Sequence, residues 1–451
     1  MRPLRKPQMN LFFQWPDHKL GKELQKISEI LDRHPEFVFL AHKDLVNNKS
    51  LTGNTGISAE QVLRAGVIKN LRGLSYEKLA FNLVDSNSSR SFLMMGPYEK
   101  YSSSALQDAI SKISEDTWEH ISTKLVLDAK EQGIEDCRQA RVDSTVTDSN
   151  IHHPTDSSLL YDSIRVINRL FQRLKIKTGK KSWRFSTNKD VKDAKSIRYK
   201  INNAKNDEER LPLYKELLKI SERLNKDFSS ILKKIEMVGT KKDYIKKDYE
   251  QLLDIKFLLG KIIYQTTKRV IKGQSVPSPK KIVSIFEPHT DIIVKDRRET
   301  QFGHKIFITS GKSNMVLHCD IPKGNKNDAE MFMGTLNSLN ESYERYPFKV
   351  SADGGFASKE NVQNAHNLGV RDACFPKKCN MEITDMVKSS WVYKKLLNWR
   401  AGIEAVISFL KRCFGMSRAS WKGFDGFKKY IRNGVATFNL IVLARHELAL
   451  E

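Results

Sequence analysis

Arg138-Gln-Ala-Arg-Val-Asp-Ser-Thr-Val-Thr-Asp-Ser-Asn150 is where the chain changes character. Upstream residues read as helix. Here Ala140, Val142 and Val146 fall two or four apart among β-branched Thr145 and Thr147, which predicts a strand. It carries Asp143 and breaks at Asn150 and Pro154. Outward from it toward the N-terminus, Leu20–Leu31 and Ile57–Leu71 repeat apolar residues at three and four, and Ser75 is placed to cap a helix through Phe81. The run from Ala59 to Ala80 has the helix, Gly-containing turn and second helix of a helix-turn-helix unit, with Arg64, Lys69 and Arg72 available for phosphates. A plain helical hairpin fits that run equally well.

Toward the C-terminus a long basic region follows. Between Arg165 and Lys281 there are 32 Lys and Arg against 13 Asp and Glu, so this quarter of the chain holds most of the net charge of +24. Leu213, Leu217, Ile220, Leu224, Phe228, Ile231, Ile235 and Val238 form the seam of a long amphipathic helix. After Gly239 and Thr240, a second series through Leu252, Ile255, Leu259 and Ile262 predicts an antiparallel return, hence a basic helical hairpin. A coiled coil that binds a partner is the alternative.

From Lys281 the pattern turns to strands at Ile282–Phe286, Lys305–Ser310 and Met315–Ile321. Then come a helix over Ala329–Tyr343, a strand over Phe348–Ala352, a helix over Glu360–Leu368, a strand over Arg371–Phe375 and a long helix over Trp391–Phe414. The expected fold class is α/β: a mixed sheet with flanking helices, an N-terminal all-α domain and an all-α basic insertion. The expected boundaries are 1–135 for the N-terminal block, 136–164 and 282–451 for the two parts of the core, and 165–281 for the insertion.

Bulk properties agree with such a division. A chain of 451 residues exceeds one compact core, and 77 Lys and Arg against 53 Asp and Glu is the footprint of a protein that meets phosphate backbones. Ribosome-associated, membrane-surface and heparin-type binders share that balance. The five cysteines are odd in number and scattered, without a CxxC, so neither a disulfide framework nor a zinc finger is indicated. The N-terminal Met1-Arg-Pro-Leu-Arg-Lys-Pro7 lacks an apolar signal core, and the apolar stretch at Asn439–Ala444 is too short to span a bilayer. A soluble cytoplasmic protein is expected, with no membrane association.

Three carboxylates stand out. Asp353 closes an apolar strand and precedes Gly354-Gly355, where the backbone can turn sharply and a phosphate approach; a hairpin-turn Asp has the same surroundings. On the last long helix, Trp399, Ile403, Val406, Leu410 and Phe414 share one face, and Arg400, Glu404 and Lys411 form a stripe beside it, as an ion-pair ladder would. In-line displacement at a phosphodiester needs divalent ions, and hard Mg2+ is held by a few carboxylates with positions left open. Two Asp on neighbouring strand ends and a Glu from a packed helix would supply that set. Two rival clusters could also ligate a metal: Glu287, His289 and Asp291, which alternate, and His152, His153 and Asp156. A supporting or structural hydrogen-bonding role is expected for both.

Several motifs are family-like: Val142-Asp-Ser-Thr-Val-Thr-Asp-Ser-Asn-Ile-His-His-Pro-Thr-Asp-Ser-Ser-Leu-Leu-Tyr-Asp162, Phe286-Glu-Pro-His-Thr-Asp291, Gly303-His-Lys305, Ala352-Asp-Gly-Gly-Phe356 and Arg400-Ala-Gly-Ile-Glu404. With the N-terminal helical block they resemble the bacterial insertion-sequence transposases that carry a DDE triad on a ribonuclease H-like fold. The resemblance implies Asp143, Asp353 and Glu404 as the catalytic and metal-binding triad, two Mg2+ ions with Mn2+ as a substitute, and Arg400 and Lys411 near the reacting phosphates. It implies double-stranded DNA, element ends and target, as partner, a homodimer or higher oligomer on DNA, and a bacterial, nucleoid-associated setting. Two departures are visible. Leu397 stands where some relatives carry a Tyr, so a hairpin-forming excision route does not carry over, and about 50 residues between Asp353 and Glu404 leave little room for the domain some relatives insert there. A ribonuclease H-like nuclease without strand transfer and a catalytically inactive DNA-binding descendant are the alternative functions.

Overall fold

The computed structural model describes residues 3–4, 15–46, 56–178, 188–238, 243–294, 299–376 and 379–450. It divides into two compact units, Met1–Ser149 with His304–Glu451, and Asn150–Gly303. Among the described residues seven helices come first: α1 (Lys19–Arg33), α2 (Pro35–Val46), α3 (Ala59–Leu71), α4 (Tyr76–Asp85), α5 (Asn87–Phe92), α6 (Ser103–Ile110) and α7 (Glu115–Glu131). Strand β1 (Gln139–Ser149) precedes α8 (Asp156–Thr178), α9 (Asn188–Asn203), α10 (Asp207–Val238) and α11 (Asp243–Thr266). Next come β2 (Asp291–Ile293), β3 (Gln301–Ser310), β4 (Val316–Asp320), α12 (Asp328–Tyr343), β5 (Lys349–Ala352), α13 (Lys359–Asn367) and β6 (Asp372–Cys374). The chain closes with α14 (Ile383–Met386), α15 (Ser390–Cys413), β7 (Arg418–Ala419) and α16 (Gly423–Leu450).

In the first unit the strands lie in the order β3-β1-β5-β6. β1, β5 and β6 are parallel, β4 runs antiparallel on β3, and β7 pairs in parallel with the end of β1. The β1–β5 register matches Gln139 with Lys349 and Val142 with Ala352. α15 packs on β1 and β5, while α12 packs beside β4 and the single turn Gly354–Phe356. Val316 on β4 has both backbone groups taken by the Asn439 side chain, whose Oδ1 accepts at 2.8 Å and whose Nδ2 donates at 2.8 Å. A helix side chain thus occupies hydrogen-bonding groups that an edge strand would otherwise expose.

The N-terminal helices share one apolar core with this sheet: a single cluster of buried residues joins Leu24 on α1 to Ala444 on α16. α3 lies deepest, with every residue from Ala59 to Asn70 buried, and a capping box of Ser58 and Gln61 starts it. The helix, turn and helix are present, with Gly73 in the left-handed region at φ 59°. Two of the residues expected on an outer face are interior. Arg64 is 1 % exposed and donates to Ser28 Oγ and Asp32 Oδ1 at 2.8 Å, with Phe92 O and Glu60 Oε1 at 3.2 and 3.3 Å. Lys69 is 6 % exposed under the rings of Tyr76 and Tyr430. Helical periodicity located the helix, but α3 is enclosed on all sides, so its polar residues are interior. Arg72 is exposed.

The second unit is built on α8 to α11 around its own core, which includes Leu217, Leu224, Phe228, Leu252, Ile255, Leu259 and Ile262 of the two seams. α10 and α11 pack together, and α8 packs on both α9 and α11, so the hairpin is half of a larger helical assembly. The expected turn at Gly239 and Thr240 lies outside the described residues. Ile282–Phe286 is not a strand. The Gln265 side chain takes both backbone groups of Ile282, and Ile282 and Ile285 enter the helical core, so the apolar run packs on helices. The strand lies later, at β2, paired with the first residues of β3.

Candidate active site

One further step of the parallel β1–β5 register past Val142 and Ala352 puts Asp143 beside Asp353. Adjacent strands are about 4.8 Å apart and residues at matched positions point to the same face, so the two carboxylates are neighbours by construction. Arg400 on α15 reaches between them: its Nη1 is 3.7 Å from Asp143 Oδ2 and 3.6 Å from Asp353 Oδ1. Both separations exceed hydrogen-bond length, so the cation holds the pair by charge alone. The Ser144 backbone N–H donates to Asp143 Oδ1 at 2.7 Å and orients that carboxylate. The side chain of Asp353 is 50 % exposed and that of Asp143 16 %, so the site opens on the Asp353 side.

The position of α15 is fixed by a residue the sequence did not single out. Arg141, 3 % exposed on β1, donates from Nε to Ser310 Oγ at 2.8 Å and from Nη1 to the Trp399 carbonyl at 3.0 Å. Its Nη2 bonds Asn314 Oδ1, and the guanidinium lies 5.0 Å over the Trp399 ring. A Cβ at Gly402 would collide with this guanidinium, so the glycine permits the close approach of helix and strand. Arg141 and Asp143 are two apart on one strand, hence on one face, and anchoring Trp399 sets its neighbour Arg400 over the carboxylates.

Asp328, at the start of α12, is a further carboxylate at the border of the site that sequence reasoning missed. Its Oδ2 accepts from Ser144 Oγ at 3.3 Å and its Oδ1 from Lys305 Nζ at 3.0 Å. A Cβ on Gly355 would stand 2.6 Å from Asp328 Oδ2, so a side chain there would displace it. The available signal, an acid in the first turn of a helix, is the same as that of an ordinary helix start.

Glu404 lies one turn beyond Arg400 on α15 and is exposed, while Ile403, Val406, Leu410 and Phe414 are buried as their spacing required. Among the described residues no three of His, Cys, Asp and Glu stand close enough together to hold a metal ion, so the structure brings Asp143 and Asp353 together without closing Glu404 onto them. Lys411 is half-buried, and its charge reaches Asp148 farther along β1, where burial pushes the carboxyl up against the pull of Arg418 and Lys411.

The other candidates belong to the second unit. Asp156 accepts from Gln265 Nε2 at 3.0 Å and Arg269 Nη1 at 2.8 Å, tying the start of α8 to the end of α11. His152 is 3.5 Å from Asp162, His153 packs edge-on to Phe302, and His289 is hydrogen-bonded to Glu287 at 2.7 Å. Asp291 opens β2.

Residues 289–440 match the family model of the transposase DDE domain. This stretch is similar to a transposase DDE domain. The matched span holds Asp353, Arg400 and Glu404 and begins after Asp143, whose strand β1 pairs with β5 of the matched span. No curated protein and no solved structure matches the chain. No helix among the described residues is long and apolar enough to cross a membrane.

Proposed function

We propose that this chain is a DNA transposase of ribonuclease H-like fold that binds the terminal inverted repeats of its element and catalyses metal-dependent strand cleavage and strand transfer. The observation that carries the reading is Arg400 poised between Asp143 within β1 and Asp353 just past the end of β5, in a chain whose residues 289–440 match the transposase DDE domain. The pair offers only oxygen donors, partly open to solvent and already turned toward one cation, and this fits hard divalent ions such as Mg2+, with Mn2+ as a substitute. Asp143 and Asp353 would hold the ions, with Glu404 as the third carboxylate. When bound, the ions supply activation of the attacking oxygen and neutralisation of the leaving one.

The chain's own residues do the positioning. Arg141 holds α15 on the sheet, and Arg400 offers its guanidinium to the scissile phosphate as well as to the carboxylates. Lys411, farther along the same helix, extends the positive track for the DNA strand. Binding to element ends falls to the N-terminal block, where Arg72 is exposed, and DNA wrapping to the basic helices of the second unit, so affinity should fall steeply with salt. The protein acts as a homodimer or larger oligomer in the bacterial cytosol.

The test is cleavage and joining of DNA that carries the element's repeats. Asp353→Ala should lower cleavage by about 10³-fold or more, since several kcal/mol of charge stabilisation are lost, while DNA binding is retained. Cleavage with no joined product under any divalent ion would make the protein a nuclease, and unchanged element-end function in Asp353→Ala would leave only DNA binding.

A further inference from the structure

A cavity of about 770 Å³ opens in the first unit, between the end of α3, the start of α4, the end of α15 and the start of α16. Lys69, Asn70, Tyr76, Trp421, Lys422 and Tyr430 are among its walls. Lys69 is 6 % exposed, with its ammonium 5.0 Å from the centre of the Tyr76 ring and 5.8 Å from that of Tyr430. Burial alone holds its pKa down to about 8, and no carboxylate among the described residues pairs with it. An interior ammonium facing only aromatic rings opposes folding. The Asn70 amide Nδ2, on a residue 6 % exposed, has no hydrogen-bond partner among the described residues. This orphaned group is a donor, and the starts of α4 and α16 add the positive ends of two helix dipoles. Lys422 stands exposed at the mouth, whereas Lys429 is matched by Asp425 at 2.8 Å.

A buried cation, an unsatisfied amide donor and two helix N-termini ask for an anion with several acceptor oxygens. Tyr76, Trp421 and Tyr430 ask for a flat apolar group, and the volume is that of a small-molecule site. We propose that this cavity binds a phosphorylated nucleotide unit, with its phosphate on Lys69 and Asn70 and its base against the aromatic rings. The unit is either a free mononucleotide or an unpaired nucleotide of a DNA strand; the chemistry read is the same. The inference does not depend on the carboxylate site.

Calorimetric titration of the full chain with dAMP, deoxyadenosine and a short single-stranded deoxyoligonucleotide tests it. We expect dAMP to bind, deoxyadenosine to bind at least about tenfold more weakly, and Lys69→Met to weaken dAMP by about tenfold or more. Lys69→Met should melt no lower than the parent chain, because an apolar group of similar length replaces an unpaired charge. Asn70→Asp, which sets a carboxylate against the phosphate, should weaken dAMP similarly and serves if Lys69→Met fails to fold. Asp353→Asn should bind dAMP as the parent does, which separates failure of this site from failure of the catalytic reading. Oligonucleotide binding that depends on Lys69 without dAMP binding supports the strand as source. Absence of Lys69-dependent binding of either, or equal binding of dAMP and deoxyadenosine, overturns the proposal.

Discussion

Arg64 and Arg400 each sit on a helix of the first unit between two carboxylates, yet one belongs to the core and the other to the site. Arg64 meets Asp32 at 2.8 Å and Glu60 at 3.3 Å, adds Ser28 and the Phe92 carbonyl, and is 1 % exposed. Arg400 stands 3.7 and 3.6 Å from Asp143 and Asp353, beyond hydrogen-bond length, and Asp353 faces solvent; the Nε of both arginines is without a hydrogen-bond partner among the described residues. Short bonds occupy both terminal nitrogens of Arg64 and make it a bolt between α1, α3 and α5. Longer separations leave both the cation and its carboxylates with capacity for a phosphate or a metal ion. The difference teaches that charge near charge does not define a site; unspent bonding capacity within reach of solvent does.

The comparison breaks most visibly at Arg64. Removing one partner from a buried ionic cluster leaves the others uncompensated, so Arg64→Ala should cost about 3–5 kcal/mol. Urea unfolding followed by helical circular dichroism measures it, and a loss under about 1 kcal/mol would mean that the cluster is dispensable and the contrast with Arg400 is false. A smaller effect is expected at Gly402. A methyl group there strikes the Arg141 guanidinium, and α15 must lift or Arg141 must leave the Trp399 carbonyl. Gly402→Ala should cost about 1–3 kcal/mol, as overpacking does, and should depress cleavage out of proportion to the stability lost, because Arg400 moves with the helix. Cleavage that follows stability alone would detach Arg141 from the positioning of the site.

These two residues also mark what could be read in advance. β1 and β5 were legible because apolar and β-branched residues gather in short runs that end in turn-forming residues, and Asp143 and Asp353 came with them. The buried face of α15 was legible from its spacing. Arg64 and Lys69 are interior where an outer face was expected, because periodicity locates a helix but cannot say that a second layer covers its polar side; α16, whose own sequence is far away, helps to enclose α3. Arg141 and Asp328 were invisible because their roles exist only through partners about 170 to 260 residues away, at Ser310, Trp399 and Ser144. Ile282–Phe286 has strand composition, yet Gln265 supplies the hydrogen bonds a neighbouring strand would have supplied.

The smallest stability effect belongs to Arg400 itself and gives the sharpest test of the contrast. Its pairing is loose and partly solvated, so Arg400→Gln should change stability by less than about 1 kcal/mol in the absence of divalent ions. Removing the guanidinium leaves Asp143 and Asp353 facing each other without a shared cation. A divalent ion that binds there stabilises the folded chain by mass action, about 1.4 kcal/mol at ten times its dissociation constant. If the two carboxylates form the metal-binding pair, added Mg2+ or Mn2+ should raise the melting temperature of Arg400→Gln more than that of the parent chain. The gain should vanish in the double variant Arg400→Gln, Asp353→Asn. Equal gains in all three chains would place any divalent binding elsewhere, and Arg400 would then be, like Arg64, an ion-pair partner whose bonds are merely longer.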